Sequence, residues 1–442
     1  MIAFGLYIYF FLEAELLFTN LIGEKLGEAN GTLFYGIFCF AAALGFFAFS
    51  FIDNMFSSKR LFILLSGLVG TVSNILVVFS TGSLLKITST FVMFVTGLVG
   101  GVILYRIASQ VKDKEIIGLF IAIPYAIAFL LQFLLKVSLP LLLDNESIVH
   151  HIIVIIAFIL SFILIPLEKT VNINNKKESS LPDKETKKYI VGAVIAGLLI
   201  FCLYGMMDGI IMTLHTGQQL NPNGLVRLLC VPGILFAGWI FDLKEGRYFS
   251  FASAIAMVAA VVAIFLFNAE ETYDAALGSI YFFCSFMTMY SLAVFIRISE
   301  STNNPSFFAS AGRGIKYLAG GVFALAGSII FSNLSLIVLV LIYLVILIML
   351  FLVLFVQGNL TPSVIGVDKT TSDVLDEQIK KYKITKREFE VLQLLMRGQD
   401  TDEIASKLYL NKSTVNKYIS SMIMKTDVKS RVGLIAVFSN QR

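Results

Sequence analysis

The sequence predicts an all-α protein: a polytopic membrane bundle of about twelve transmembrane helices, followed by a small four-helix module at the carboxyl end. Of the 442 residues, 57% are hydrophobic and 14% are charged, and the mean hydropathy is +0.85. A soluble chain of this length does not need so much apolar surface. The apolar residues form stretches of about twenty, whereas residues 384–442 are polar with short amphipathic segments. We therefore expect two domains in different environments.

Twelve apolar stretches are candidate membrane spans in a domain covering residues 1–356. Each is close to the length that crosses a bilayer, and lipid offers unpaired backbone groups no partner, so helices are expected. The predicted spans are 2–22, 31–52, 61–80, 87–108, 116–137, 148–166, 189–214, 224–241, 248–268, 277–296, 314–332 and 335–356.

A polar interruption at residues 167–188 divides these spans six and six, into halves 1–166 and 189–356. This division resembles the major facilitator superfamily, whose two six-helix halves enclose a central cavity. The segment GWIFDLKEGR, residues 238–247, is similar to that superfamily's loop pattern Gly-x-x-x-Asp followed by Gly-Arg, with one extra residue. The resemblance implies a transporter-like architecture.

Positive charge is distributed unevenly between the predicted loops. If the amino end is cytoplasmic, the inside loops hold fourteen lysines and arginines and the outside loops hold three. The positive-inside rule then predicts that both termini are cytoplasmic. The inside set is Lys59, Arg60, Lys112, Lys114, Lys169, Lys176, Lys177, Lys184, Lys187, Lys188, Lys244, Arg247, Arg297 and Arg313, and the outside set is Lys25, Lys86 and Lys136.

Glu13, Glu15, Asp208 and Arg227 are ionisable residues that fall inside predicted spans. Charges at membrane depth are costly, and therefore we interpret these residues as candidate contacts of a small-molecule ligand. Two acidic spans favour a cationic or amine ligand, with Arg227 either pairing with Asp208 or holding a carboxylate. The alternative is an internal ion pair that only fixes helix packing.

Other polar groups give weaker signals. His150, His151 and His215 fall at predicted outer loops or span ends, and we expect them to face solvent. The four cysteines lie within spans without a Cys-x-x-Cys pair, so neither zinc nor a disulfide is indicated. No metal and no cofactor is expected. No catalytic constellation is evident, and we do not predict an enzyme.

Residues 357–383 are predicted to be a cytoplasmic tether, with a possible helix over 372–383. A flexible tether of this length has an end-to-end distance on the order of 30 Å.

The carboxyl-terminal segment, residues 384–442, shows helical spacing in four short segments. Thr385 and Glu388 have the spacing of a capping box at the first helix. Thr401 is the expected cap of the second helix, over 402–408, and Asn411 of the third; a fourth helix covers about 430–438. Short helices joined by tight turns are typical of a helix–turn–helix.

The third helix carries the predicted DNA contacts. Residues 384–442 hold ten Lys plus Arg against six Asp plus Glu, a formal charge of +4. Lysines neutralise phosphates and short polar side chains reach base edges in the major groove. The candidate DNA-binding residues are Lys412, Ser413, Thr414, Asn416, Lys417, Ser420 and Lys425.

The run ITKREFEVLQLLMRGQDTDEIASKLYLNKSTVNKYISSMIMKTDVKSR resembles the LuxR-type helix–turn–helix along its length. Two residues depart from the family pattern: Asn416 stands where the family usually has lysine, and Tyr418 stands where it often has histidine. The resemblance implies a bacterial regulator that binds promoter DNA, as a homodimer, with residues 411–424 in the major groove. The alternative is a helical bundle for protein contacts only. The matching positions are Thr385, Arg387, Glu388, Glu390, Val391, Leu392, Leu395, Gly398, Glu403, Ile404, Ala405, Leu408, Thr414, Val415, Lys425, Val428 and Arg431.

Together these features predict a one-component transcription regulator in the bacterial cytoplasmic membrane, in contact with lipid, a small-molecule ligand and promoter DNA. Two alternatives remain open at this point. One is a secondary transporter carrying an accessory DNA-binding module, and the other is an anchor that tethers the chromosome to the membrane.

Overall fold

A computed structural model of the chain describes residues 1–53, 59–110, 116–142, 146–167, 184–216, 219–221, 224–246, 248–299, 302, 304–333, 336–358, 381–396, 399–408, 410–428 and 430–439. The chain forms two compact units, Met1–Thr361 and Pro362–Arg442. The predicted tether helix over 372–383 falls almost entirely outside the described residues.

The described part of the first unit consists of helices joined by short connections. A 3₁₀ segment, Leu225–Leu229, leads into α8, and α10 continues through a π-helical turn, Tyr290–Val294, into α11. The helices are α1 Ile2–Leu26, α2 Glu28–Asp53, α3 Lys59–Phe79, α4 Gly82–Gln110, α5 Ile117–Leu142, α6 Glu146–Leu167, α7 Lys184–Thr216, α8 Cys230–Asp242, α9 Phe249–Ala263, α10 Tyr273–Met289, α11 Phe295–Ser299, α12 Pro305–Asn333 and α13 Leu336–Gly358.

Many of these helices have the length and apolarity of membrane spans. Among the described residues, ten helices are long and apolar enough to cross a membrane. Two shorter apolar helices, Ile63–Phe79 and Val149–Leu164, lie where the third and sixth spans are predicted. The all-helical fold class is therefore confirmed, and the count of twelve spans stays a prediction.

The beginning of α12 differs from the sequence prediction. The span was predicted from residue 314, but the helix begins at Pro305, so Arg313 lies within it and is only 1% exposed. Counting Arg313 as a loop residue was therefore wrong. A buried arginine inside a helix that is long and apolar enough to cross a membrane is a functional candidate, which the loop interpretation had hidden.

The outer surface of the first unit is strongly apolar. Phe79 is 80% exposed, Phe355 71% and Leu352 62%, and many other large apolar side chains on α3, α9 and α13 face outward. A water-soluble protein rarely exposes so extensive an apolar surface. The unit is thus compatible with a membrane protein.

The helices pack as two sets, α1–α6 and α7–α13, that meet along two seams. At one seam α2 packs against α12, and at the other α5 packs against α8. Glycine allows each close crossing: a Cβ on Gly321 would lie 3.1 Å from the carbonyl oxygen of Gly36, and a Cβ on Gly118 only 2.2 Å from that of Gly238. Small residues let membrane helices approach at their backbones in this way.

Asp242 reinforces the α5–α8 seam. Its two carboxylate oxygens accept hydrogen bonds from the backbone N–H groups of Gly118 at 2.6 Å and Leu119 at 2.8 Å, in the first turn of α5. A carboxylate is favourable at a helix N-terminus because it pairs with free N–H groups and with the helix dipole. The Gly-x-x-x-Asp pattern noted in the sequence therefore joins the two helix sets.

We expect Asp242→Ala to destabilise the first unit by about 1–2 kcal/mol, the usual cost of losing a helix cap. Thermal unfolding of the purified full chain in detergent measures this change. Asp242→Asn keeps one acceptor oxygen, and its unfolding midpoint should lie between those of Asp242→Ala and the wild type. An unchanged midpoint in Asp242→Ala would contradict the role of this contact.

The described part of the second unit contains four short helices: α14 Lys386–Met396, α15 Thr401–Leu408, α16 Lys412–Thr426 and α17 Arg431–Ser439. Their inward faces build a separate hydrophobic core, which gives this small unit the means to fold by itself. We call it the carboxyl-terminal module. Its buried residues are Ile384, Val391, Leu392, Leu395, Ile404, Ala405, Val415, Ile419, Met422, Leu434 and Phe438.

Candidate DNA-binding interface and interhelical cavity

Helix α16 presents one apolar and one polar face. Val415, Ile419 and Met422 are buried at helical spacing, as predicted, whereas Ile423 is only partly buried. The polar face consists of Lys412, Ser413, Asn416, Lys417 and Ser420, which are all exposed, and Thr414 at its edge is half-buried. This exposed stripe has the residue types that contact phosphates and base edges.

The three lysines of α16 have different surroundings. Lys417 is exposed and makes no ion pair or hydrogen bond with any other described residue. Lys412 Nζ lies 2.6 Å from Asp402 Oδ1, but both side chains are about 60% exposed, at 66% and 59%. Such surface pairs contribute little and exchange easily. Lys425, in contrast, is held within the module.

Glu388 is the residue that holds Lys425. The carboxylate is buried, and it accepts hydrogen bonds from Lys425 Nζ at 2.6 Å, Ser421 Oγ at 2.6 Å and the backbone N–H of Thr385 at 2.7 Å. Lys425 also donates to the carbonyl oxygen of Lys383. These bonds fasten α16 to the start of α14. Direct DNA contact by Lys425 stays a prediction.

The predicted caps have mixed outcomes. The capping box of Thr385 and Glu388 is confirmed, since Thr385 Oγ1 accepts the Glu388 N–H at 3.3 Å and Glu388 accepts that of Thr385. The prediction of Thr401 as the cap of α15 was wrong: Asp400 Oδ1 accepts the N–H groups of Asp402 and Glu403. Asn411 occupies the N-cap position of α16, but its side chain forms no capping hydrogen bond.

Thr401 has another partner. Its Oγ1 accepts a hydrogen bond from Arg431 Nη1 at 3.0 Å, and Arg431 Nη2 donates to the carbonyl oxygen of Gln399 at 3.0 Å. Arg431 therefore joins α17 to the start of α15. Glu388, Lys425 and Arg431, which all belong to the LuxR-type pattern, fix the geometry of the module.

We expect the stability of the module to fall in acid because of Glu388. Burial opposes its ionisation, but the hydrogen bonds from Lys425, Ser421 and Thr385 outweigh burial and lower its pKa from 4.5 to about 2. A lowered pKa stabilises the folded state fully above about pH 4.5, and this contribution is lost as the pH falls towards 2. The loss is roughly 3 kcal/mol.

Denaturant unfolding of residues 370–442 between pH 7 and pH 2 measures this dependence. In Glu388→Gln, which cannot ionise, the free energy of unfolding should decline less steeply below about pH 4.5. Parallel curves for the two proteins would show that Glu388 does not carry the effect.

The first unit encloses a cavity between its two helix sets. Its volume is about 160 Å³, and its lining comes from α1, α2, α5, α7, the 3₁₀ segment Leu225–Leu229, α8, α10 and α12. Polar and aromatic side chains converge on it, which is typical of a small-molecule site. Its lining includes Glu15, Thr19, Asn20, Tyr35, Cys39, Tyr125, Tyr204, Asp208, His215, Arg227, Cys230, Tyr281, Cys284, Lys316 and Tyr317.

Three of the four predicted ligand contacts lie in this cavity. Glu15, Asp208 and Arg227 line it, whereas Glu13 is 3% exposed and does not. The Glu13 carboxylate instead lies 2.9 Å from His150 Nε2 on α6. The prediction that the histidines face solvent was wrong for His150, which contacts a buried carboxylate, and for His215, which lines the cavity.

Two cavity residues escaped the sequence prediction. Lys316 lines the cavity from α12, and Tyr35 from α2 donates a hydrogen bond to Asp208 Oδ2. Lys316 lay inside a predicted span, and its charge alone could have identified it. Tyr35 carries no such signal, because tyrosine is common in membrane helices.

The fold of the carboxyl-terminal module defines it as a helix–turn–helix DNA-binding module: α15 and α16 are joined by a short turn, and α16 exposes a basic, polar face. The family model described as "Bacterial regulatory proteins, luxR family" matches residues 383–438. The spore germination protein GerE of Bacillus subtilis (strain 168) is 46% identical over 51 residues, which are 12% of this chain and 69% of that protein.

A second relative, the transcriptional regulatory protein DesR of Bacillus subtilis (strain 168), is 44% identical over 52 residues, which are 12% of this chain and 26% of that protein. Through its carboxyl-terminal module, the chain belongs to the luxR family of bacterial regulatory proteins. The matched lengths are a small part of the chain, and the family match leaves α1–α13 uncovered.

Proposed function

We propose that this chain is a membrane-embedded one-component transcription regulator, in which the first unit senses a small molecule and the carboxyl-terminal module binds promoter DNA. The luxR-type module carries the proposal, because it shares one chain with apolar helices whose cavity is lined in part by polar and charged side chains. A sensor and an effector in one chain need no separate signalling partner.

The proposed orientation has both termini in the cytoplasm of a bacterial cell, with the helices of the first unit in the cytoplasmic membrane. Without Arg313, the predicted inside loops still hold thirteen lysines and arginines, the earlier fourteen less one, against three outside. This asymmetry supports the orientation. It would give the module access to DNA.

The proposed mechanism uses the two helix sets. Ligand in the cavity would favour one of two arrangements of these sets, and a ligand can shift such an equilibrium only by binding the two arrangements with different affinity. The shift would change whether two modules can pair on adjacent half-sites of a promoter. Homodimer formation on DNA is part of this proposal.

Footprinting of residues 370–442 on the DNA upstream of the protein's own gene, at physiological salt, tests the DNA-binding part. Protection of a defined site supports a regulator. Binding that is blind to sequence and is lost with added salt would support the chromosome-tether alternative.

A secondary transporter with an accessory module is the second candidate. It is favoured by the cavity between the two helix sets, an arrangement similar to the central cavity of the major facilitator architecture. Saturable uptake of a cavity ligand into proteoliposomes would support it, and binding without uptake supports the sensor.

A further inference from the structure

Charged side chains of both signs line the cavity. The carboxylates of Glu15 on α1 and Asp208 on α7 lie in its wall, together with Lys316 on α12 and Arg227 in the segment before α8. Asp208 accepts a hydrogen bond from Tyr35, whereas Glu15 Oε1 has only the Cys39 thiol, at 3.5 Å. Both carboxylates can therefore still accept a donor from a ligand.

Lys316 is similarly available. Its Nζ lies over the rings of Tyr317, at 4.8 Å from the centroid, and Tyr204, at 5.7 Å. Within the described part of the chain it makes no hydrogen bond and no ion pair with either carboxylate. An ammonium of this kind, partly desolvated and surrounded by aromatic rings, can bind an anionic group strongly.

A second cation reinforces the α12 side. Arg313, one helical turn before Lys316, is 1% exposed, and its Nη2 donates to the hydroxyl of the cavity residue Tyr317 at 3.1 Å. Its Nη1 has no hydrogen-bond partner among the described residues. The buried Arg313 guanidinium forms no ion pair with a carboxylate among the described residues, which makes this side of the cavity favourable for negative charge.

These contacts disfavour a ligand with a single charge. A simple amine would bind the carboxylates but bring a further positive charge near Lys316, and a simple carboxylate would have the opposite conflict with Glu15 and Asp208. A ligand that carries both charges satisfies both sides. The cavity volume of about 160 Å³ suits a small molecule.

We propose that the cavity binds a small zwitterion, a free amino acid or a dipeptide, with its ammonium against Glu15 and Asp208 and its carboxylate against Lys316. This assignment rests on the proposed function, since it names the class of molecule that the regulator would sense. It replaces the cationic or amine ligand expected from the acidic residues alone.

Thermal unfolding of the purified full chain in detergent, with a panel of added ligands, tests the assignment. The panel contains the common amino acids and dipeptides, each matched with its decarboxylated amine and its deaminated acid, at millimolar concentration. At least one zwitterion should raise the unfolding midpoint, and its matched amine and acid should have little effect.

Two variants should change the preference in opposite directions. Lys316→Gln should weaken binding of the zwitterion by roughly thirtyfold or more, because the anion site is lost, and the matched amine should then bind with similar affinity. Glu15→Gln should weaken binding of the zwitterion in the same way, and the matched acid should then bind with similar affinity. Glu24→Gln and Lys25→Gln, at exposed positions of α1 outside the cavity, are the controls and should keep the wild-type preference.

The assignment is overturned if no zwitterion stabilises the chain, or if a matched amine stabilises the wild type as well as the zwitterion does. Footprinting of the full chain separates this result from the proposed function. Zwitterion binding that leaves the promoter footprint unchanged would contradict the sensor and support the ligand class. A footprint that responds to amines alone would support the sensor and contradict the ligand class.

Discussion

Lys417→Glu is expected to weaken promoter binding by the carboxyl-terminal module about a hundredfold. Lys417 lies on the exposed face of α16, and no other described residue pairs with its ammonium. It is therefore free to neutralise a DNA phosphate, and a carboxylate in its place would be repelled by the backbone. The core residues of α16 are unchanged, so the module should remain folded.

Titration of residues 370–442 against the footprinted site at several salt concentrations measures this effect. In the neutral variant Lys417→Ala, the decrease of DNA affinity with added salt should also become less steep, by about the contribution of one phosphate contact. Lys381→Glu is the matched control, because Lys381 is an exposed lysine of the same module but lies outside α16. Wild-type affinity in a folded Lys417→Glu protein would exclude α16 as the DNA-contacting helix.

The double variant Glu15→Gln/Asp208→Asn is expected to reduce the ligand-dependent change in transcription at least tenfold. Both carboxylates line the cavity, and no second acidic pair lines it among the described residues. The substitutions keep side-chain size, and therefore the helices should still pack. The DNA affinity of residues 370–442 cannot change, since the variant leaves those residues intact.

A reporter gene behind the footprinted promoter, in cells that express the full chain, measures this response. Glu24→Gln, on the same helix but outside the cavity, should respond like the wild type. A full response in the double variant would show that the two cavity carboxylates are not needed to recognise the ligand.

The carboxyl-terminal module could be predicted in detail from the sequence. Its capping box and the inward residues of α16 follow from local spacing, which the small core preserves. The cap of α15 was misplaced by one residue, because Thr401 and Asp400 are both good capping residues and sequence alone does not fix a helix start so closely.

The cavity could be predicted only in part. Glu13 and Glu15 are two residues apart, and at about 100° per residue they lie on opposite sides of α1. Because α1 is apolar all round, its pattern does not indicate which side faces the cavity. Packing decides this: Glu13 contacts His150, and Glu15 lines the cavity.

The cations of α12 were missed for a different reason. The predicted span began at residue 314, and so Arg313 was assigned to a loop, whereas Lys316, inside that span, was not among the predicted ligand contacts. The helix begins nine residues earlier, at Pro305, so Arg313 lies within it, and Lys316 lines the same cavity as Glu15 and Asp208. A cavity that looked acidic from the sequence therefore contains both signs of charge.

The most direct test of the central claim is the occupancy of DNA sites by the full chain in cells, compared between the wild type and Glu15→Gln/Asp208→Asn by chromatin immunoprecipitation. A regulator controlled by the cavity predicts the same set of sites in both proteins, with ligand-dependent occupancy in the wild type only. Identical occupancy in both proteins, with and without the ligand, would contradict control of the luxR-type module by the first unit.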